Sequence, residues 1–351
     1  MSDILVMNFP PYYTKNQIKQ IKKVNPDILI FDDDFITPLN EFIFSDSIIY
    51  LDFGKNFNKS LKNIILPKYL RKLRFGDGFL QSLDYVKLPD TLEIIELGAN
   101  YNVSLFCANL PIYLKELILN DDFNCPIPRF LPKKLEKIVL GTHFDYSLNN
   151  FIVPKKLKYL RINGSQTNTV LFDNLPRTME YLEIVGYLGF DLKFDLPLLE
   201  RLIINNNGNV QIDIEKLPKL KYLKCCGAKN NEILLNTLSE NVRHLEIINK
   251  LKVDLVNLHF NLDELYLNFD YKENELMTNL HLVGVNPIGL NPIGLNSANI
   301  EKQTNLPVNL KKLKLKDIKL LKFIEKIPYD CLIVDSNDKP FDNELIKQYI
   351  N

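Results

Sequence analysis

Residues 66–76 read Leu66-Pro67-Lys68-Tyr69-Leu70-Arg71-Lys72-Leu73-Arg74-Phe75-Gly76, and 22 residues later the chain reads Leu88-Pro89-Asp90-Thr91-Leu92-Glu93-Ile94-Ile95-Glu96-Leu97-Gly98. The shared frame is L-P-x-x-L-x-x-L-x-L followed by a small residue. It returns at Leu110, Leu131, Val153 and Leu175, so the spacings run 22, 22, 21, 22 and 22 residues. Leu196-Pro197 and Leu217-Pro218 carry it one residue shorter. Leu238 and Leu258 keep the leucines without the proline, and Leu306-Pro307 restores the full form. Ile48, Leu51 and Phe53 fit the frame before the first full copy, which makes twelve readable copies. Ile327-Pro328 is a decayed thirteenth.

Each half of the frame has a physical reading. L-x-x-L-x-L ends in period-two alternation, which suits a short strand with one buried face. Proline fixes φ and has no N–H, which suits the turn before that strand. Gly76, Gly98, Asn120, Gly141, Asn163 and Asn205 follow the strands. These residue types best tolerate positive φ, so the chain is expected to turn sharply there. One copy cannot bury its leucines alone, whereas stacked copies share a core. The expected fold is α/β or mainly β: a leucine-rich-repeat-like solenoid. Its parallel β-sheet lines the concave face, irregular loops form the convex face, and short helices cap both ends.

A second element begins four residues past each strand's last core position. It reads Phe57-Asn58-Lys59-Ser60-Leu61, then Phe79 to Leu83, Tyr101 to Leu105, Phe123 to Ile127 and Phe144 to Leu148, with Phe35 to Leu39 ahead of them. The aromatic and the terminal Leu or Ile are expected to pack as a second apolar ladder. Later copies lose the aromatic, with Gln166 and Leu188 in its place.

This F-N-x-P-[LI] element, joined to L-P-x-x-L-x-x-L-x-L-G at a 22-residue period, resembles the FNIP repeat. That family is related to leucine-rich repeats and is expanded in social amoebae and in large DNA viruses that infect amoebae. The resemblance covers residues 30 to 335. Many members carry an N-terminal F-box, which implies a substrate-adaptor role in a ubiquitin ligase. Residues 1–43 instead read as a strand-helix-strand cap, with no F-box visible. The helix carries a capping-box pattern at Thr14 and Gln17, and Pro26 stops it. The repeats occupy residues 44–335, with an inserted loop at 269–305 that holds the tandem Asn286 to Leu290 and Asn291 to Leu295. Residues 336–351 form a C-terminal helical cap with Leu345, Ile346 and Tyr349 on its apolar side.

Charge and cysteine usage narrow the function. Lys+Arg and Asp+Glu are 43 each, so no global attraction to nucleic acid or to a membrane is expected. Five cysteines without a C-x-x-C pair argue against a disulfide framework or a zinc site. No secretory signal is seen, and a cytoplasmic monomer is expected, in the host cytoplasm if the source is viral. No H-E-x-x-H motif or nucleophile elbow occurs. Asp32-Asp33-Asp34 reads as a solvated turn rather than a cation site. No cofactor is expected, and the chain is read as a non-enzyme.

The strand frame also names the open-face positions. In L-x-x-L-x-L the first-x row alternates in sign, from Arg71 and Glu93 to Lys115, Glu136, Lys158 and Glu180. That pattern fits a ladder of cross-strand ion pairs. The middle row is richer in Tyr, Arg and His, types common in binding hot spots. Tyr159, Tyr181, Arg201, Tyr222 and His244, with Arg161 and Lys224 beside them, are therefore the candidate protein-binding patch. The expected function is a non-catalytic scaffold that binds a protein partner there; the alternative is the ubiquitin-ligase adaptor that the resemblance implies.

Overall fold

Alternation of apolar and polar residues at a fixed repeat length allows one outcome, strands laid side by side in parallel with like positions adjacent. The computed structural model describes residues 4–7, 23–146, 151–163, 172–186, 192–193, 195–206, 210–213, 217–227, 231–235, 239–248, 251–258, 261–268, 280–284, 306–307, 309–324 and 327–349. The chain forms two units, Met1–Asn163 with Asn174–Thr178, and Gly164–Asp173 with Met179–Asn351. Each is a parallel-sheet solenoid of the leucine-rich-repeat type.

In the first unit, β1 (Ile4–Met7) and β2 (Ile28–Phe31) precede the repeats. β3 (Tyr50–Asp52), β4 (Lys72–Arg74), β5 (Ile94–Leu97) and β6 (Glu116–Leu119) follow. β7 (Lys137–Val139) and β8 (Tyr159–Asn163) complete the sheet. Neighbours pair in parallel and in chain order, so Leu29, Leu51, Leu73, Ile95, Leu117, Ile138 and Leu160 lie in one row. Every residue of that row is at most 2% exposed. β1 and β2 extend the sheet ahead of the repeats, while the expected helix at Thr14 to Ile21 lies outside the described residues.

The second apolar ladder is present as well. Phe35, Phe57, Phe79, Tyr101, Phe123 and Phe144 stack face to face, with centroid spacings of 5.4, 6.2, 6.0, 6.3 and 5.9 Å and interplanar angles of 8° or less. All six rings are buried. A parallel register brings identical rings together, and each ring seals the wall of its own repeat and the next. Phe53 and Phe75 stand beside this ladder, stacked on Phe57 and Phe79 at 4.5 and 4.0 Å.

The turns after the strands differ from expectation. None of Gly76, Gly98, Asn120, Gly141, Asn163 or Asn205 has positive φ, although Gly54, just past β3, does. Close approach explains the glycines instead. A Cβ on Gly98 would sit 2.2 Å from the Gly76 carbonyl oxygen, in the backbone of the preceding turn. Asn120 and Asn163 act through their side chains, donating to the Leu97 and Thr142 carbonyls at 2.6 Å.

In the second unit, β9 (Tyr181–Gly186) is followed by β10 (Leu192–Lys193), β11 (Arg201–Asn206), β12 (Val210–Asp213) and β13 (Tyr222–Gly227). Then come β14 (Asn231–Leu235), β15 (His244–Ile248), β16 (Leu251–Leu258) and β17 (Glu264–Asn268). β18 (Leu280–Gly284), β19 (Lys312–Leu315) and β20 (Leu332–Val334) are last. The repeat sheet runs β9-β11-β13-β15-β17-β19-β20 and buries Leu182, Leu202, Leu223, Leu245, Leu265, Leu313 and Ile333 in register.

A second parallel sheet, β10-β12-β14-β16-β18, occupies the stretches between those strands. Sequence reading assigned loops here. The aromatic ladder has ended by this point, and backbone pairing takes its place in joining successive repeats. Alternation in Leu251-Lys-Val-Asp-Leu-Val-Asn-Leu258 was the available signal. β18 falls within the 269–305 interruption, whereas the tandem at 286–295 lies outside the described residues.

At the C-terminal edge, a helix at Asn343–Lys347 is capped by Asp342, whose carboxylate accepts from the Glu344 and Leu345 N–H groups. Leu345, Ile346 and Tyr349 are only half-buried. The edge strand is closed by backbone instead, through an antiparallel bridge between Val334 and Pro340 and a Phe341 N–H bond to the Ile333 carbonyl. Among the described residues no helix is long and apolar enough to cross a membrane.

Candidate protein-binding face

The strand pleat turns one face of each repeat sheet outward. In the first unit that face is an ion-pair lattice. Lys115 meets Glu93 at 2.7 Å, Lys158 meets Glu136 at 3.2 Å, and Lys137 meets Glu116 at 3.3 Å. Arg74 bridges Asp52 at 2.8 Å and Glu96 at 3.1 Å. Asp52 also accepts from the Tyr50 hydroxyl at 3.1 Å and the Gly54 N–H at 3.0 Å. Burial, and then the Asp52 charge, push the Tyr50 phenol up to about 12. Cross-strand pairs at this spacing hold register more than they add stability. Two candidate residues lie on β8 at the end of this unit. Lys137 sits over the Tyr159 ring at 5.1 Å, and Arg161 pairs with Asp121 at 3.6 Å.

The other five candidates share the second unit. Backbone pairing puts Tyr181, Arg201, Tyr222 and His244 in one row across β9, β11, β13 and β15. The Arg201 guanidinium carbon lies 3.8 Å from the Tyr222 ring centroid and 5.8 Å from that of Tyr181. The Tyr222 hydroxyl donates to Glu246 at 2.6 Å, and that of Tyr181 donates to Glu183 at 2.9 Å. Burial raises the Tyr222 phenol well above its ordinary value, and the Glu246 hydrogen bond adds to this. Lys224 pairs with Glu246 at 3.0 Å, and His244 lies 3.3 Å from Glu264.

Beside this row is a depression of about 220 Å³, lined in part by Tyr222, His244, Tyr266, Lys312, Lys314 and Asp338. Lys312 occupies the same row, next to Glu264, whereas Asp338 was not legible in the repeat frame. That residue comes from the C-terminal loop, where its backbone is left-handed with φ of 63°. Lys312 and Lys314 both reach its carboxylate, the latter at 3.0 Å. Only the folding back of the loop joins them, and no repeat position signals it.

The remaining polar candidates have structural work. Asp33 accepts from the Lys55 N–H and Asp34 from the Asn56 side chain, both at 3.1 Å. Cys225 is fully buried, and burial pushes its thiol up to about 12. Cys226 follows it within β13.

The stacked aromatics, the 22-residue register and the parallel sheet together match a repeat family. The FNIP Repeat profile fits residues 37–78, 107–138 and 127–165. Those segments are similar to the FNIP repeat. No curated protein matches it in sequence. CroV588, described as a novel circular LRR protein and originating from a giant virus, aligns with 99% of this chain and 51% of its own, at 22% identity and a TM-score of 0.64. The chain thus spans about half the length of CroV588, and the likeness concerns the fold alone. YopM from Yersinia enterocolitica WA-314 aligns over 92% of this chain and 63% of its own, at 17% identity and a TM-score of 0.48, too distant to bear on the fold.

The structure explains the two leading letters of the FNIP repeat. Its Phe builds the stacked ladder. Its Asn accepts a hydrogen bond from the backbone of the next repeat: Asn58 from the Leu80 N–H at 3.1 Å, Asn102 from Asn124 at 2.9 Å, and Asn124 from Asp145 at 2.9 Å. Where Leu80 replaces the Asn, that acceptor is missing.

Proposed function

We propose that this chain is a non-catalytic scaffold that binds a protein partner through the open strand face of its second unit. Tyr181, Arg201, Tyr222, Lys224 and His244 form the contact. Tyr159 and Arg161 offer the same chemistry on the last strand of the first unit. The observation that carries this reading is the arrangement of Arg201 over the Tyr222 ring, with Tyr181 on its other side. Rings held in place by neighbouring strands lose little freedom on binding, which favours them as anchors. Lys224 already faces Glu246, so its charge adds little net attraction, and His244 lies against Glu264. The rings therefore carry the affinity and the charges set the register.

Crosslinking in the native cell identifies the partner, and capture by the full chain then tests the face. Tyr181→Ala with Tyr222→Ala is expected to weaken capture at least about tenfold, as loss of two aromatic anchors does. Unchanged capture by a variant with an intact circular dichroism spectrum would sink the idea. The ubiquitin-ligase adaptor reading has no observation in its favour among the described residues.

A further inference from the structure

The balanced total charge hides a local excess. In the first unit, the described residues between the aromatic element and the first core leucine of the next frame run along the surface. From Lys62 to Lys156 these surface segments carry eight Lys or Arg residues against two acids, Asp84 and Asp90. The segments are stacked by hydrogen bonds. The Thr91 hydroxyl donates to the Lys68 carbonyl at 2.9 Å, and the Ile152 N–H to the Arg129 carbonyl at 3.2 Å. Phe130 and Ile152 form a parallel bridge.

The same strip is unusually apolar. Of the sixteen large apolar side chains exposed among the described residues, eight fall on it. Ile65 is 86% exposed, Tyr85 78% and Phe130 68%. A groove of about 440 Å³ runs between the turns of Leu110 and Leu131 and is lined by Ile112 and Phe130. Cations lie over the exposed rings: Lys134 over Tyr113 at 4.0 Å, Arg129 over Phe130 at 5.3 Å, and Lys62 over Tyr85 at 5.4 Å.

We propose that this strip docks on an anionic lipid bilayer. Apolar tips interleaved with lysines match the boundary between headgroups and acyl chains. Rings and isoleucines enter that boundary, while lysine stems extend their ammonium groups to the phosphates. Each lysine near an anionic surface adds attraction. Single-stranded nucleic acid would use the rings as stacking platforms, but Ile65, Ile112 and Ile152 have no such face.

Flotation of the full chain with vesicles tests this. Binding is expected to vesicles of phosphatidylcholine with phosphatidylserine, but not to phosphatidylcholine alone, and it should fall with added salt. Reversing four charges (K133E, K134E, K155E, K156E) should weaken binding about a hundredfold or more. Ile65→Ser with Phe130→Ser should weaken it about tenfold or more through lost burial. All six positions are on the surface strip, and circular dichroism checks the fold. If the reversal variant misfolds, Lys133→Gln with Lys134→Gln replaces it, with a drop of about tenfold expected. The proposal is overturned by no binding to the phosphatidylserine vesicles, by equal binding to both vesicle types, or by full binding of the charge variants. Binding to a single-stranded oligonucleotide without binding to vesicles would also overturn it, and would mark the strip as a nucleic-acid surface.

Discussion

Arg74 reaches across from β4 to Asp52 on β3, and the two meet at 2.8 Å with the carboxylate almost wholly buried and the guanidinium half in solvent. The pair therefore differs from the exposed ladder around it, because one partner cannot fall back on water. Arg74→Ala leaves Asp52 with only the Tyr50 hydroxyl and the Gly54 N–H. A loss of about 1–3 kcal/mol is expected, less than for a fully buried pair because Arg74 is partly solvated. Urea denaturation measures it. A change below about 0.5 kcal/mol would place this pair with ordinary surface ion pairs.

Tyr101 is the one ring of the stacked ladder that carries a hydroxyl. That hydroxyl is buried without a hydrogen-bond partner among the described residues, and burial, with the nearby Asp84 charge second, raises its phenol far above the ordinary value. Tyr101→Phe restores the ladder's usual residue and removes an unsatisfied group. It should stabilise the first unit by about 1 kcal/mol, read as a higher urea midpoint with an unchanged slope. A destabilised variant would mean that the hydroxyl is satisfied in solution.

The Asn acceptors give a paired prediction. Asn102→Ala removes the acceptor for the Asn124 N–H and should cost about 1 kcal/mol. Leu80→Asn supplies the acceptor that this repeat lacks and replaces an exposed leucine, so it should stabilise by about 0.5–1 kcal/mol. Thermal melts of the two variants should move in opposite directions. Movement in the same direction would separate this Asn from repeat stacking.

Cysteine labelling tests burial in the second unit. Thiolate is the reacting species, and Cys225 is both enclosed and raised to about 12, so it stays protonated across neutral and mildly alkaline pH. Cys107 is exposed. An alkylating reagent at pH 8 should modify Cys107 first and reach Cys225 only after unfolding, as peptide mass spectrometry would show. Early modification of Cys225 would mean that β13 opens in the native state.

Much of this fold was legible because a repeat states its own register. Leu73 and Ile95 are equivalent in sequence and adjacent in space, so the frame alone placed the buried row. The stacked rings from Phe35 to Phe144 were legible for the same reason. The glycine turns were misread, since a Gly serves close backbone approach as readily as positive φ, and Gly98 is a case of the former. Within the candidate face, the row from Tyr181 to His244 followed from strand alternation. Its internal pairing with Glu183, Glu246 and Glu264 was only partly visible, because rotamers choose among several carboxylates within reach.

Repeat length, strand positions, the apolar rows and the face carrying each side chain are properties of the sequence by itself, because a period of two within a period of about 22 leaves one way to bury the leucines. Tertiary structure alone decided three other things. It placed Asp338 against Lys312 and Lys314 by folding the C-terminal loop back. It paired β10, β12, β14, β16 and β18 into a second sheet where the aromatic ladder stops. It also gathered scattered lysines and exposed rings onto one strip of the first unit. In each case the residues are far apart or unremarkable in the chain, and only stacking brings them within the few ångströms over which hydrogen bonds, ion pairs and apolar contacts act.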